Sequence, residues 1–213
     1  MKKILGFCML VVLLGTASPV LADSFPYPNV GQVAPTNTFV AISKGNVTGY
    51  FVQGGWLSGG TAAYMDVVGL LDLTTDSFSG WLFNNQLTQP GATANFGKVN
   101  AGDTLAIFIL DLLPPWGGMY SSVPALSDDG VNHVYAASWT GGILNGANIP
   151  AGLYIGTEDL KSSISDFNYN DDSFVLTDVK MASSVPEPVS LLLFGVGILG
   201  LAALSRRKHA VSN

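Results

Sequence analysis

The sequence predicts an all-β body, a β-sandwich of jelly-roll type, held between two separate apolar end segments. Short runs rich in β-branched and aromatic residues recur along the middle of the chain. Gly, Asn and Asp clusters punctuate them at a spacing that suits strands better than helices. Each end of the chain, by contrast, carries one longer apolar stretch flanked by basic residues.

In chain order, Lys2 and Lys3 precede an apolar run from Ile4 to Gly15, and Val20-Leu21-Ala22 supplies small residues for cleavage. This layout predicts a signal peptide over 1–22, handled by Sec-type export machinery and signal peptidase. A dozen or so apolar residues are too few to cross a bilayer core, which needs roughly 20. Residues 23–37, with Pro26, Pro28 and Pro35, read as an extended lead-in. The body is expected over 38–181. Its strands are predicted at Thr38–Ile42, Val47–Val52, Tyr64–Leu73, Gly80–Phe83, Thr104–Leu110, His133–Ala137, Leu153–Thr157 and Phe174–Val179.

Two of these runs carry more detail. Val47, Gly49 and Phe51 alternate with Thr48, Tyr50 and Val52, so both faces carry bulk and a sheet covered on both sides is expected. The stretch Ala62–Leu71 also fits a helical face through Ala63, Val67, Leu70 and Leu71, but Gly69 and the paired valines favour strand. After the last strand, 182–185 reads as a linker. A transmembrane helix is then predicted over 189–204, about 24 Å long at 1.5 Å per residue. The basic residues after it are expected to stay on the cytoplasmic side.

The arrangement Pro186-Glu187-Pro188, a Gly-punctuated apolar segment and Arg206-Arg207 resembles the PEP-CTERM sorting tail of Gram-negative bacteria. That resemblance implies processing by an exosortase over the tail 186–213, transient attachment to the inner membrane, and a host that makes extracellular polysaccharide. An uncut tail anchor would export the body equally well.

Composition narrows what the body can do. Its single candidate for thiol chemistry, Cys8, lies in the expected signal peptide, so cysteine zinc sites and disulfides are excluded from the mature chain. From Asp23 to Ser184 four lysines stand against fourteen acidic residues, a net charge of −10, and there is no arginine. A basic footprint for nucleic acid is therefore absent, whereas divalent cations are natural partners. His133 is the body's one histidine, which rules out a multi-histidine metal centre; beside an apolar strand it reads as a hydrogen-bonded structural residue.

Chemistry concentrates between Glu158 and Asp172. Glu158 and Asp159 are followed by Asp166, Asn168, Asn170 and Asp172, alternating with Phe167 and Tyr169. Alternate oxygen-bearing side chains in an extended loop can converge on a hard cation, and six to eight oxygen ligands suit Ca2+. An EF-hand is excluded, because Asp171 stands where that loop needs glycine and Thr177 where it needs glutamate. The same residues read equally as a solvated acidic turn, Asn and Asp being turn formers.

This stretch also resembles the end of a β-rich domain of unknown function common in PEP-CTERM proteins. Gly156-Thr-Glu158-Asp159 and Asp166-Phe-Asn-Tyr-Asn170-Asp171 carry the likeness, with Leu82–Asn85, Val99–Leu105 and Asp128–His133 upstream. Asn168 stands where that domain has aspartate, and Asp172-Ser173 are inserted before the strand.

Trp56 and Trp116, set in glycine-rich loops, are the candidates for stacking on sugar rings, while Trp81 and Trp139 are expected in the core. The leading expectation is a non-enzymatic, exosortase-sorted surface or matrix protein associated with exopolysaccharide and stabilised by calcium. The alternatives are a polysaccharide-binding lectin-like module and a glycan hydrolase using two carboxylates.

Overall fold

Alternating bulk along the strand-forming runs is what builds the body. The computed structural model describes residues 26–55, 60–112 and 117–182. The expected signal peptide, the sorting tail with its span at 189–204, Trp56 and Trp116 lie outside the described residues. Among the described residues no helix is long and apolar enough to cross a membrane.

The strands are β1 (Phe39–Ala41), β2 (Gly45–Gln53), β3 (Asp66–Asp72), β4 (Ser77–Phe78), β5 (Phe83–Asn84), β6 (Thr93–Val99) and β7 (Thr104–Asp111). They continue with β8 (Met119–Ser121), β9 (Val134–Trp139), β10 (Gly142–Leu144), β11 (Ala147–Ile149), β12 (Gly152–Thr157), β13 (Asp172–Leu176) and β14 (Val179–Met181). One sheet runs β14-β1-β7-β3-β4, with β5 on β3 and β8 on β7; the other runs β6-β2-β13-β12-β9. All pairings between these strands are antiparallel and neither sheet closes on itself. The architecture is therefore an open β-sandwich, the coarser part of the jelly-roll expectation.

Phe39, Val68, Leu70, Leu105, Ile107 and Ile109 from the first sheet meet Val47, Phe51, Phe96, Leu153, Ile155, Phe174 and Leu176 from the second. Each such side chain stabilises the fold by roughly 1.5–3 kcal/mol when fully buried. The second sheet is covered on its outer face too. There the β10–β11 hairpin lays Leu144 and Ile149 over Val52, Tyr154 and Val175, which answers the two-sided bulk of β2. Gly49 is required in that strand, because a Cβ there would run into the Phe96 ring.

Several expected elements differ. Phe174–Val179 is not one strand: the chain turns at Thr177 and Asp178, the latter at φ 62°, and crosses from the second sheet to the first. Leu176 and Val179 can then both enter the same core from opposite sides. At Gly80–Phe83 only Phe83 is in a strand, since Gly80 at φ 79° breaks the extended run. Asp66–Asp72 is strand, as its glycine and valines indicate.

The crossing sets β14 beside β1, Met181 opposite Phe39, and the Ala182 N–H donates to the Thr38 carbonyl at 2.7 Å. The described residues of the lead-in carry no strand, yet Tyr27 and Ala34 are buried against Phe167 and Tyr169. The Tyr169 hydroxyl accepts from the Ala34 N–H at 2.7 Å and donates to the Asn132 carbonyl at 3.1 Å.

Candidate cation site

The β12–β13 connection is a long hairpin loop with acidic residues at both stems. Thr157 and Asp172 are the last register pair, so Glu158 and Asp159 leave one strand where Asp171 and Asp172 enter the other. The Asp159 N–H donates to an Asp171 carboxylate oxygen at 3.1 Å. Glu158 is fixed from behind: its N–H donates to the His133 carbonyl at 3.1 Å, and its own carbonyl meets His133 Nδ1 at 2.9 Å. Carboxylate oxygens of Glu158, Asp159 and Asp171 lie within 4.8 Å of one another.

Glu158 and Asp159 are each 1 % exposed, and Glu158 Oε2 and both Asp159 carboxylate oxygens have no hydrogen-bond partner. Burial pushes the Asp159 carboxyl up to about 9, helped by the charges of Asp171 and Glu158. Burial likewise lifts Glu158 to about 8, with Asp171 and Asp166 adding to it. Asp171 reaches about 6, burial prevailing over the opposing Asp159 N–H. Like charges this close disfavour joint ionisation unless a cation joins them.

The first sheet contributes acids at the same end. Asp66 opens β3 opposite Asp111, the last residue of β7. Asp66 and Asp172 are both fully buried, and burial raises each well above the ordinary carboxylate range, with the Asp172 charge adding to it for Asp66. Asn85 holds Asp66 in place. Its side-chain oxygen accepts from the Asp66 N–H at 3.0 Å, and its amide donates to Asp66 Oδ2 and the Tyr64 carbonyl, both at 2.9 Å.

The predicted ligands thus divide into three groups. Glu158 and Asp159 converge, with Asp171 as third member. Asp172 turns inward against Asp66. Asp166, Asn168 and Asn170 line a surface cleft of about 250 Å³ over Glu158, Asp159 and Asp171. Within that rim, Asp166 Oδ1 accepts from the Asn168 N–H at 3.2 Å, and Asn168 Oδ1 from the Asn170 N–H at 3.0 Å. Phe167 and Tyr169, at φ 46° and 56°, turn the other way into the cluster beneath the lead-in. The expected alternation is present, and it serves both as turn chemistry and as the wall of the cleft.

Asp66, Asp111 and Asp171 were missed as candidates. Their signal was an acid at the edge of an apolar run, Met65-Asp66-Val67 and Leu110-Asp111-Leu112, with nothing local to say that the fold would bring them together. His133 is fully buried, stacked on Tyr120 at 4.2 Å between ring centroids, with Nε2 3.1 Å from Asp129 Oδ1. Trp139 is half-buried, its indole N–H donating to the Ile149 carbonyl at 3.3 Å. Trp81, expected inside, is 38 % exposed and packs edge-on against Phe78, beside Leu71, Phe108 and Met119 of the first sheet.

No curated protein and no solved structure matches the chain significantly. A family model does match, outside the described residues, over the Pro-Glu-Pro triplet, the apolar segment and the basic cluster. Such a motif implies processing by an exosortase and export to the cell surface, and on this match the chain carries a PEP-CTERM protein-sorting motif at residues 184–208.

Proposed function

We propose that the protein is a non-enzymatic surface or matrix protein, delivered by its sorting motif to the exopolysaccharide outside the cell, whose β-sandwich is stabilised there by calcium. The observation that carries the calcium reading is the convergence of Glu158, Asp159 and Asp171 with unpartnered buried oxygens. Carboxylates are hard oxygen donors, and a Ca2+ ion would satisfy those oxygens while the cleft above admits water to complete its shell. The non-enzymatic reading is supported by His133, which is fully buried with both ring nitrogens engaged in hydrogen bonds. The surplus of acidic residues fits a body that meets acidic polymer through bridging divalent ions.

The test is the thermal midpoint of the purified chain in millimolar calcium and in chelator. At a hundredfold excess over Kd, binding to the folded form adds about 2.7 kcal/mol, a rise of several degrees for a domain of this size. That rise should vanish in Asp159→Asn. An identical midpoint in calcium and chelator would overturn the calcium reading.

A further inference from the structure

We propose that a second divalent cation sits behind the first, between Asp66 and Asp172, and joins the two sheets at their open end. Asp66 belongs to β3 of one sheet and Asp172 to β13 of the other, and both are 0 % exposed. Asp66 Oδ1 and both Asp172 carboxylate oxygens lack any hydrogen-bond partner. Asp172 is near enough for its charge to raise the Asp66 carboxyl, and neither group can donate when ionised. Three buried carboxylate oxygens with no donor cost several kcal/mol per ion, in an interior where apolar pairs would pack without that penalty.

The surroundings are organised for a ligand. Asn85, fully buried, donates its amide to Asp66 Oδ2, while Asp66 Oδ1 is left without a hydrogen-bond partner. Asp159, with both oxygens unpartnered, belongs to the outer cluster, and its charge also acts on Asp66. Two divalent ions would answer the five carboxylates Asp66, Asp172, Asp159, Asp171 and Glu158 down to one net negative charge, to which Asp111 opposite Asp66 adds a second.

The two positions do different work. Glu158, Asp159 and Asp171 all flank one loop, so an outer ion orders that loop alone. An ion at Asp66 and Asp172 ties β3 to β13 across the core.

This inner position deepens the calcium reading of the outer cluster, and binding stoichiometry separates the two. Calcium titration of the unmodified full-length chain by calorimetry, after exhaustive chelation, should give two ions per chain. Asp66→Asn should leave one, and Asp171→Asn should weaken the other. Mn2+ substituted into the unmodified protein should show the spin-coupled resonance of a close ion pair, a readout that needs no variant. One ion per chain with an uncoupled Mn2+ spectrum would overturn the inner site and leave the outer one standing. Two ions that both survive Asp66→Asn and Asp172→Asn would overturn it as well, and no ion at all would remove both.

Discussion

Thr157 and Asp172 face each other across the last rung of β12 and β13, and the Thr157 hydroxyl donates to the Asp172 carbonyl at 3.1 Å. That bond pins the two stems of the acidic loop at one level. Thr157→Val, nearly isosteric, removes it at a cost of about 1 kcal/mol. Calcium affinity should drop several-fold while the sandwich stays folded, a combination read by calorimetry and circular dichroism together.

Asn85 is the neutral donor on which buried Asp66 depends. Asn85→Ala strips Asp66 of the amide at 2.9 Å and leaves the Tyr64 carbonyl without that donor. We expect a loss of about 3 kcal/mol in urea unfolding, from unsatisfied buried groups and a small cavity.

Without a cation, the raised carboxyls of Asp171, Glu158 and Asp159 give the fold an unusual pH response. Their folded values of about 6, 8 and 9 exceed the ordinary unfolded values near 4. Their contribution is fully present below about pH 4 and is lost as pH rises through those folded values. In chelator the midpoint at pH 5 should exceed that at pH 8. Saturating calcium should flatten the difference, and its binding at pH 7 should release protons into weakly buffered solution.

Asp129 works in the opposite sense. Burial acts to raise its carboxyl, but the Ser162 N–H at 2.7 Å and His133 hold it below the usual value. Its stabilisation is therefore present above about pH 4 and lost as pH falls through the lower folded value. Asp129→Asn should cost about 1 kcal/mol at pH 7. The difference from the parent protein should close in acid denaturation curves below pH 4.

The fold was legible where local pattern and burial agree. In β2, bulk on alternate sides predicted a sheet covered on both faces, and Phe51 and Val52 do enter separate clusters. The β10–β11 hairpin was overlooked although Asn145-Gly146, at φ 43° and 75°, is a strong turn signal. Strand β6 has only Phe96 and Val99 fully buried, too little bulk to show as a run. At the site, residues near in sequence were found: Glu158, Asp159 and the rim from Asp166 to Asn170. Asp66 and Asp111 lie on neighbouring strands of the other sheet, and only register brings them to this end. Sequence spacing holds no record of that pairing.

The last described strand has a mechanical meaning. β14 is a three-residue strand at the sheet's edge, and the Ala182 N–H bond to Thr38 is the contact beyond its final rung. Tension applied from the C-terminal side, whether from a tether or from flow over the cell, loads that bond first among the described contacts. It would peel β14 from β1 rung by rung, a low-force mode of separation compared with shearing a whole sheet. Val179, at the inner end of the strand, is anchored in the core. A pull at the surface would thus spend itself on three rungs, a short fuse, before it reached the packed interior.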